Sequence, residues 1–160
     1  MTKDFKQTIT RKNLEAAFAG ESMANRKYLY FAKIARELGD EEVANVVEET
    51  AQQETGHAFS HLQLLYPANT LTVEKLLEMA IEGERYEHQT MYPEFERKAI
   101  EEGNLIALAE FKEQGAESKV HDSLFTEVLE KARKKFHALA KVEKIHADRY
   151  QSLLNIKKGV

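Results

Sequence analysis

The chain has 160 residues, 42% hydrophobic and 31% charged, with a net charge of -4, which suits one compact domain with one core and leaves little room for a second. Seven Gly and two Pro leave few places to turn, so the expected fold class is all-α; zero Cys excludes disulfides, thiolate zinc sites, iron-sulfur clusters and thiol catalysis, so any metal is held by oxygen and nitrogen. The mixed charge argues against a nucleic-acid surface, no apolar run approaches the ~20 residues that span a bilayer, and the start MTKDFKQTIT lacks a signal-peptide core, so the expected setting is the cytoplasm, with no membrane, and with small molecules or proteins as partners.

Helical periodicity places the first element at about residues 11–38, where Leu14, Ala17, Phe18, Tyr28, Phe31, Ala32 and Ala35 recur at three- and four-residue steps with Glu21 in the middle of the stripe. The second, about 41–65, carries Val43, Val46, Val47, Leu64 and Leu65, with Glu54, His57 and His61 among them. After YPANT a third helix begins near Thr72, a fitting N-cap with Glu74 in the first turn. Its stripe takes in Leu76, Leu77, Ala80, Ile81, Met91 and Phe95, with Glu84 and Glu87 between them. The last helix sets Phe136, Leu139, Ala140, Tyr150 and Leu153 beside Glu143 and His146. His61, one turn beyond His57 on the same stripe, reads as a core histidine or as a residue supporting the ligands, and His88 and His137 read as surface residues.

These elements are duplicated. LEAAFAGE from Leu14 matches LEMAIEGE from Leu77, pairing Glu21 with Glu84, and each copy runs on about 18 residues to a glycine, Gly39 or Gly103. AQQETGHA from Ala51 matches AKVEKIHA from Ala140, pairing Glu54 with Glu143 and His57 with His146. One lone Glu followed by Glu-x-x-His, twice over, is the ligand pattern of a carboxylate-bridged two-metal site in a ferritin-like four-helix bundle, for which it is a standard illustration. The chemistry requires a counter-charge: an unpaired carboxylate in a core costs several kcal/mol, and converging carboxylates repel. No Lys or Arg sits in these stripes beside the glutamates. Five glutamates are nearly balanced by two ferrous ions, or by two ferric ions with a bridging oxide or hydroxide. Oxygen-rich sites with one imidazole per metal suit iron or manganese, with zinc a further substitute.

The copies disagree at one ligand position: Glu87, one turn after Glu84, faces Ala24 in the first copy. That makes the expected site asymmetric. Tyr28 and Tyr92 lie within two turns of the glutamates on the same side, placed to hydrogen-bond a bound peroxide or a ligand carboxylate, or else to serve as core aromatics.

The segments FAGESMANRKYLYFA, ETGHAFSHL, EGERYEHQTMYPEF and KVEKIHADRY together resemble the di-iron domain of the rubrerythrin family. The resemblance implies that Glu21, Glu54, His57, Glu84, Glu87, Glu143 and His146 are the iron ligands and that Tyr28 and Tyr92 lie beside them. It also implies reduction of hydrogen peroxide to water, with Glu87 and His57 exchanging on one iron as the oxidation state changes. Oxygen-dependent ferroxidase or oxidase activity, or iron binding without turnover, would use the same ligands. Typical members carry a rubredoxin-like module with four cysteines; this chain has none, so the expected electron donor is external, such as a rubredoxin-type protein.

The second departure from the family is length. Eleven residues separate Gly39 from Ala51, but 36 separate Gly103 from Ala140, a surplus of 25. The surplus, about 104–130, is expected to form an extra helical hairpin bent near Gly115. It echoes the last helix, with Phe111, His121 and Phe125 against Phe136, His146 and Tyr150. Glu117 and His121 therefore compete for the fourth-helix role, and are set aside because their spacing is four rather than three and the flanking match belongs to Ala140. Finally, the roughly seven residues between the second and third helices reach ~24 Å at most, short of the ~33 Å needed to carry the chain back along a bundle. Either a helix ends early, or the first two helices of one chain join the last two of another; the expectation is a homodimer, with helix exchange as a hypothesis for its form.

Overall fold

The structure, a computed structural model, describes residues 5–158. It is helical, with no strand among the described residues. The long elements are α1 (Ile9–Glu37), α2 (Glu41–Leu65), α3 (Val73–Tyr86), α4 (Tyr92–Glu101) and α5 (Leu105–Lys158), with a π-helical segment, Glu87–Met91, between α3 and α4. They divide into two compact units, Met1–Leu71 and Thr72–Val160.

In the first unit α1 begins after Thr8, whose hydroxyl accepts from Arg11 N at 3.1 Å. It packs antiparallel on α2 through small residues: Ala32, Ala44, Ala51 and Ala58 are buried, with Leu65 at the end. Asn25 Nδ2 donates across the pair to Ala51 O at 2.6 Å and Thr55 Oγ1 at 3.0 Å. At the hairpin Arg36 gathers Glu41, Asn45 and Glu48. Larger side chains such as Phe31, Phe59 and Leu64 stay exposed within the unit.

In the second unit Thr72 caps α3 as the sequence predicts, accepting from Lys75 N at 3.2 Å. Ile81, Ala99 and Leu129 form its core with two buried polar residues, Ser118 and Asp122. Phe95 and Phe111 meet at 5.4 Å between ring centroids, and Tyr92 lies against both. The expected hairpin near Gly115 is absent: α5 is one helix of 54 residues. Gly115 has another use. A Cβ there would lie 3.1 Å from Tyr92 Cβ, so the missing side chain lets α5 approach the aromatic cluster instead of turning the chain.

The duplication is clearest at the caps. Gly39 (φ 85°) and Gly103 (φ 70°) are left-handed and end α1 and α4 in the same way. Asp40 N bonds Ala35 O and Asn104 N bonds Ala99 O, both at 2.9 Å, while Gly39 N and Gly103 N bond Arg36 O and Ile100 O, the hydrogen-bond pattern of a Schellman motif. Asp40 and Asn104 then cap the next helices, accepting from Val43 N and Ala107 N. Between its glutamate and this glycine the second copy holds one residue more than the first, 19 steps from Glu84 to Gly103 against 18 from Glu21 to Gly39. The π segment absorbs it: Tyr92 N–H bonds Glu87 O, five residues back, so one extra residue fits without breaking the helix.

Candidate metal centre

In the first unit, Glu21 on α1 meets Glu54 and His57 on α2. His57 Nδ1 is 2.8 Å from Glu54 Oε2 and 4.0 Å from Glu21 Oε2, and one ligand atom from each of the three lies within 4.8 Å of the others. The i, i+3 spacing of Glu54 and His57 puts both on one helix face. Hydrogen bonding from His57, then from Glu21, holds the Glu54 carboxyl below its ordinary value. Both glutamates are half-buried, and His57 is exposed. Tyr28 is half-buried and leans on Phe31, 6.4 Å between centroids.

In the second unit Glu84 and Glu87 face α5. His121 Nδ1 lies 3.5 Å from Glu84 Oε2, and buried Ser118 donates from Oγ to Glu87 Oε2 at 2.9 Å. The Tyr92 phenol is pushed above its ordinary value by burial, then by the carboxylates of Glu87, Glu110, Glu84 and Glu117. It therefore stays protonated and able to donate a hydrogen bond through neutral pH.

Beneath this cluster lies a second polar group. Asp122 accepts from Arg85 Nε and Nη2 at 3.2 and 3.0 Å, sits 3.1 Å from His88 Nε2, and accepts from Thr126 Oγ1 at 3.3 Å. Arg85, then His88, holds the Asp122 carboxyl below its usual range. His88 is thus not the surface residue its sequence context suggests: its side chain is only 13% exposed.

Five of the seven ligand positions implied by resemblance fall in these two clusters: Glu21, Glu54, His57, Glu84 and Glu87. Glu143 and His146 do not. Residues 133–157 of α5 are exposed throughout, and along a continuous helix the Glu143 pair lies about 37 Å beyond Ser118 and His121, at 1.5 Å per residue over 25 residues. The position beside Glu84 belongs to His121, one of the two residues set aside for its spacing; the other, Glu117, is exposed and close enough to act on Tyr92. The helix caps contain the signal that would have found this. Counting from Asp40, Glu54 is fourteen residues on and His57 seventeen; counting from Asn104, those places hold Ser118 and His121.

The donors fit iron. Among the described residues the cationic partners of Glu21, Glu54 and Glu84 are histidines, not Lys or Arg, so carboxylates gather without a fixed counter-charge, and their oxygen-rich, single-imidazole chemistry suits a hard or borderline divalent ion. Fold and donor set together define an all-α, ferritin-like protein of the carboxylate-histidine metal class. The rubrerythrin family model matches residues 12–129, and the chain belongs to the rubrerythrin family, whose members are di-iron proteins. It is 36% identical over 165 residues to a rubrerythrin of Porphyromonas gingivalis, covering 96% of this chain and 70% of that one. Nigerythrin of Nitratidesulfovibrio vulgaris is 38% identical over 135 residues, 76% of this chain and 67% of the relative. A solved structure of fully reduced, all-ferrous nigerythrin is 34% identical and covers 83% of this chain and 73% of the other, at a TM-score of 0.40. Among the described residues no helix is long and apolar enough to cross a membrane.

Proposed function

We propose that the chain is a di-iron oxidoreductase that reduces hydrogen peroxide to water with electrons from an external donor. The observation that carries the reading is the carboxylate-histidine cluster of Glu21, Glu54 and His57, together with the Glu84–His121 contact on the repeat-related helices. The carboxylates of Glu21, Glu54, Glu84 and Glu87 would balance the charge of two ferrous ions.

The bound irons would supply two electrons, one each; with two protons these convert H2O2 into two waters. The residues do the rest. Glu21, Glu54 and His57 would hold one metal, and Glu84 and His121 would contribute ligands to the other. The protonated Tyr92 phenol donates a hydrogen bond to the oxygen that gains a proton; Tyr28 is assigned the matching role in the first unit. With no cysteine in the sequence, these 160 residues build no rubredoxin-type iron site, so the donor is a separate redox centre, of rubredoxin type. A cytoplasmic setting, where such donors are reduced, completes the reading.

Chain length supports a homodimer, with helix exchange as one form of it. The link between α2 and α3 contains a 3-10 turn, Ala68–Thr70, which rises only ~2 Å per residue and shortens an already short connection. Exposed Phe31, Phe59, Leu64, Leu124 and Val128 offer the apolar area that a partner copy would cover. Gel filtration of the full chain tests this, and a monomeric elution volume refutes it.

The activity is tested by rapid mixing of the diferrous protein with peroxide or with oxygen, followed by turnover with a rubredoxin-type reductant. Faster oxidation by oxygen points to a ferroxidase or oxidase, and stoichiometric oxidation without turnover points to iron storage. Metal analysis of protein isolated without added metal decides between iron and manganese or zinc.

A further inference from the structure

The apolar seam of α5 outlasts its partners. Within the second unit Ser118, Asp122 and Leu129 are buried and Phe125 and Ala132 half-buried, one face of the helix at alternating four- and three-residue steps. Arg133 then pairs with Glu74 and Glu78 in the first two turns of α3, and from residue 133 to residue 157 all of α5 is exposed. The steps continue regardless. Phe136, Leu139, Glu143, His146, Tyr150 and Leu153 keep the same alternation, and the four apolar ones are 46%, 51%, 67% and 53% exposed. A lone helix is marginal in water, and an uncovered apolar stripe calls for a partner.

The uncovered seam is palindromic. Phe136 and Leu153, Leu139 and Tyr150, and Glu143 and His146 each lie symmetrically about the midpoint between Lys144 and Ile145. Two copies that cross antiparallel about a two-fold axis at that midpoint bring every seam residue opposite its mirror position. Apolar residues then meet apolar residues, and Glu143 meets the partner's His146 twice over. A parallel pairing would instead oppose Glu143 to Glu143. The flanks agree with the antiparallel register: Ala140 falls beside the partner's Ala147, two small residues that let the helices approach, and Val142 falls beside the partner's Arg149, so no like charges are opposed.

We propose that residues 133–157 of α5 form an antiparallel dimerisation arm whose occupant is the same segment of a second copy. In its two central layers an imidazole N–H of His146 donates to the partner's Glu143 carboxylate. These layers fix the register, because a slip of one heptad would set Glu143 against leucine and His146 against an aromatic ring. The second Glu-x-x-His thus acts in recognition between copies, away from the metal centre. The proposal does not rest on the di-iron reading, and its surface is separate from Phe31, Phe59 and Leu64.

The test exploits a chain with no cysteine. In A140C/A147C the two thiols of one helix are about 10.5 Å apart along its axis, too far for a disulfide within the chain, whereas the proposed register puts each beside its counterpart in the second copy. Mild oxidation of the full-length variant, followed by non-reducing electrophoresis, should give a covalent dimer. K141C/D148C, with the same spacing on the opposite face, should cross-link at least about ten-fold more slowly. Adding H146E to A140C/A147C opposes glutamate to glutamate and should slow cross-linking about ten-fold or more; adding E143H as well exchanges the two residues and should restore the rate. Equal rates for the two cysteine pairs, no covalent dimer from A140C/A147C, or no recovery in the exchanged variant overturns the proposal. Far-UV circular dichroism of each variant separates loss of pairing from loss of fold, and metal content of the wild type tests the di-iron reading independently.

Discussion

Asp122 gives the sharpest stability prediction because its partners are fully specified. Replacing it with Ala removes the acceptor of two Arg85 hydrogen bonds, of the His88 contact and of the Thr126 hydroxyl. The losses are unequal. Arg85 is half exposed and re-solvates, so its two bonds contribute little net. His88 is 13% exposed, and its Nε2 would be left without an acceptor, at about 1–3 kcal/mol; the small cavity left by the carboxylate adds to that, for about 2–3 kcal/mol in total. Urea denaturation of metal-free protein at pH 7, followed by far-UV circular dichroism, measures it. The pH dependence tests the cause. The folded-state carboxyl lies below its ordinary 3.8, so its stabilisation is fully present above the unfolded value and is lost as pH falls through the folded one. The stability gap between wild type and D122N should thus hold through neutral and mildly acidic pH and close only below about pH 4. A loss under about 0.5 kcal/mol at pH 7, or a gap that closes near pH 6, refutes the reasoning.

Three further outcomes follow from the geometry. G115V should destabilise the second unit by about 1–3 kcal/mol, because its Cβ meets Tyr92 at 3.1 Å and two further methyls add to that crowding; G115A should be close to neutral, as helix propensity offsets that contact. In metal titrations H57A should lose one of two ions, since Glu21 and Glu54 then lack their nitrogen donor; retention of both with wild-type affinity would remove His57 from the site. The double variant E143Q/H146A should keep two bound ions, because that pair lies far along α5 from Glu84 and Glu87; loss of one ion would return it to the centre.

Much of this fold was legible because helices announce themselves locally. The α2 boundaries, the Thr72 cap and the inward placement of Glu21, Glu54, Glu84 and Glu87 all follow from periodicity and capping chemistry, which depend on residues a few positions apart. Three features escaped for one shared reason. Matching KVEKIHA to ETGHA weighs side-chain identity, whereas the chain's path is set by where the backbone turns, and the turn at Gly103–Asn104 copies that at Gly39–Asp40 bond for bond. Anchoring the register on the turns puts His121, not His146, opposite Glu84. Gly115 misled in the same way: glycine marks a turn when φ must be positive, as at Gly39 and Gly103, but inside a helix it marks a close approach, here of α5 to Tyr92. The extra residue of the second copy was visible as a count but had no structural meaning until the π segment gave it one, at the residue where the two copies carry different ligands. The 25-residue surplus corresponds to seven helical turns at 3.6 residues per turn, so it extends α5 without rotating its face. That is why the second Glu-x-x-His looks correct in the sequence: it repeats the phase of the site-forming segment while lying beyond the reach of α3.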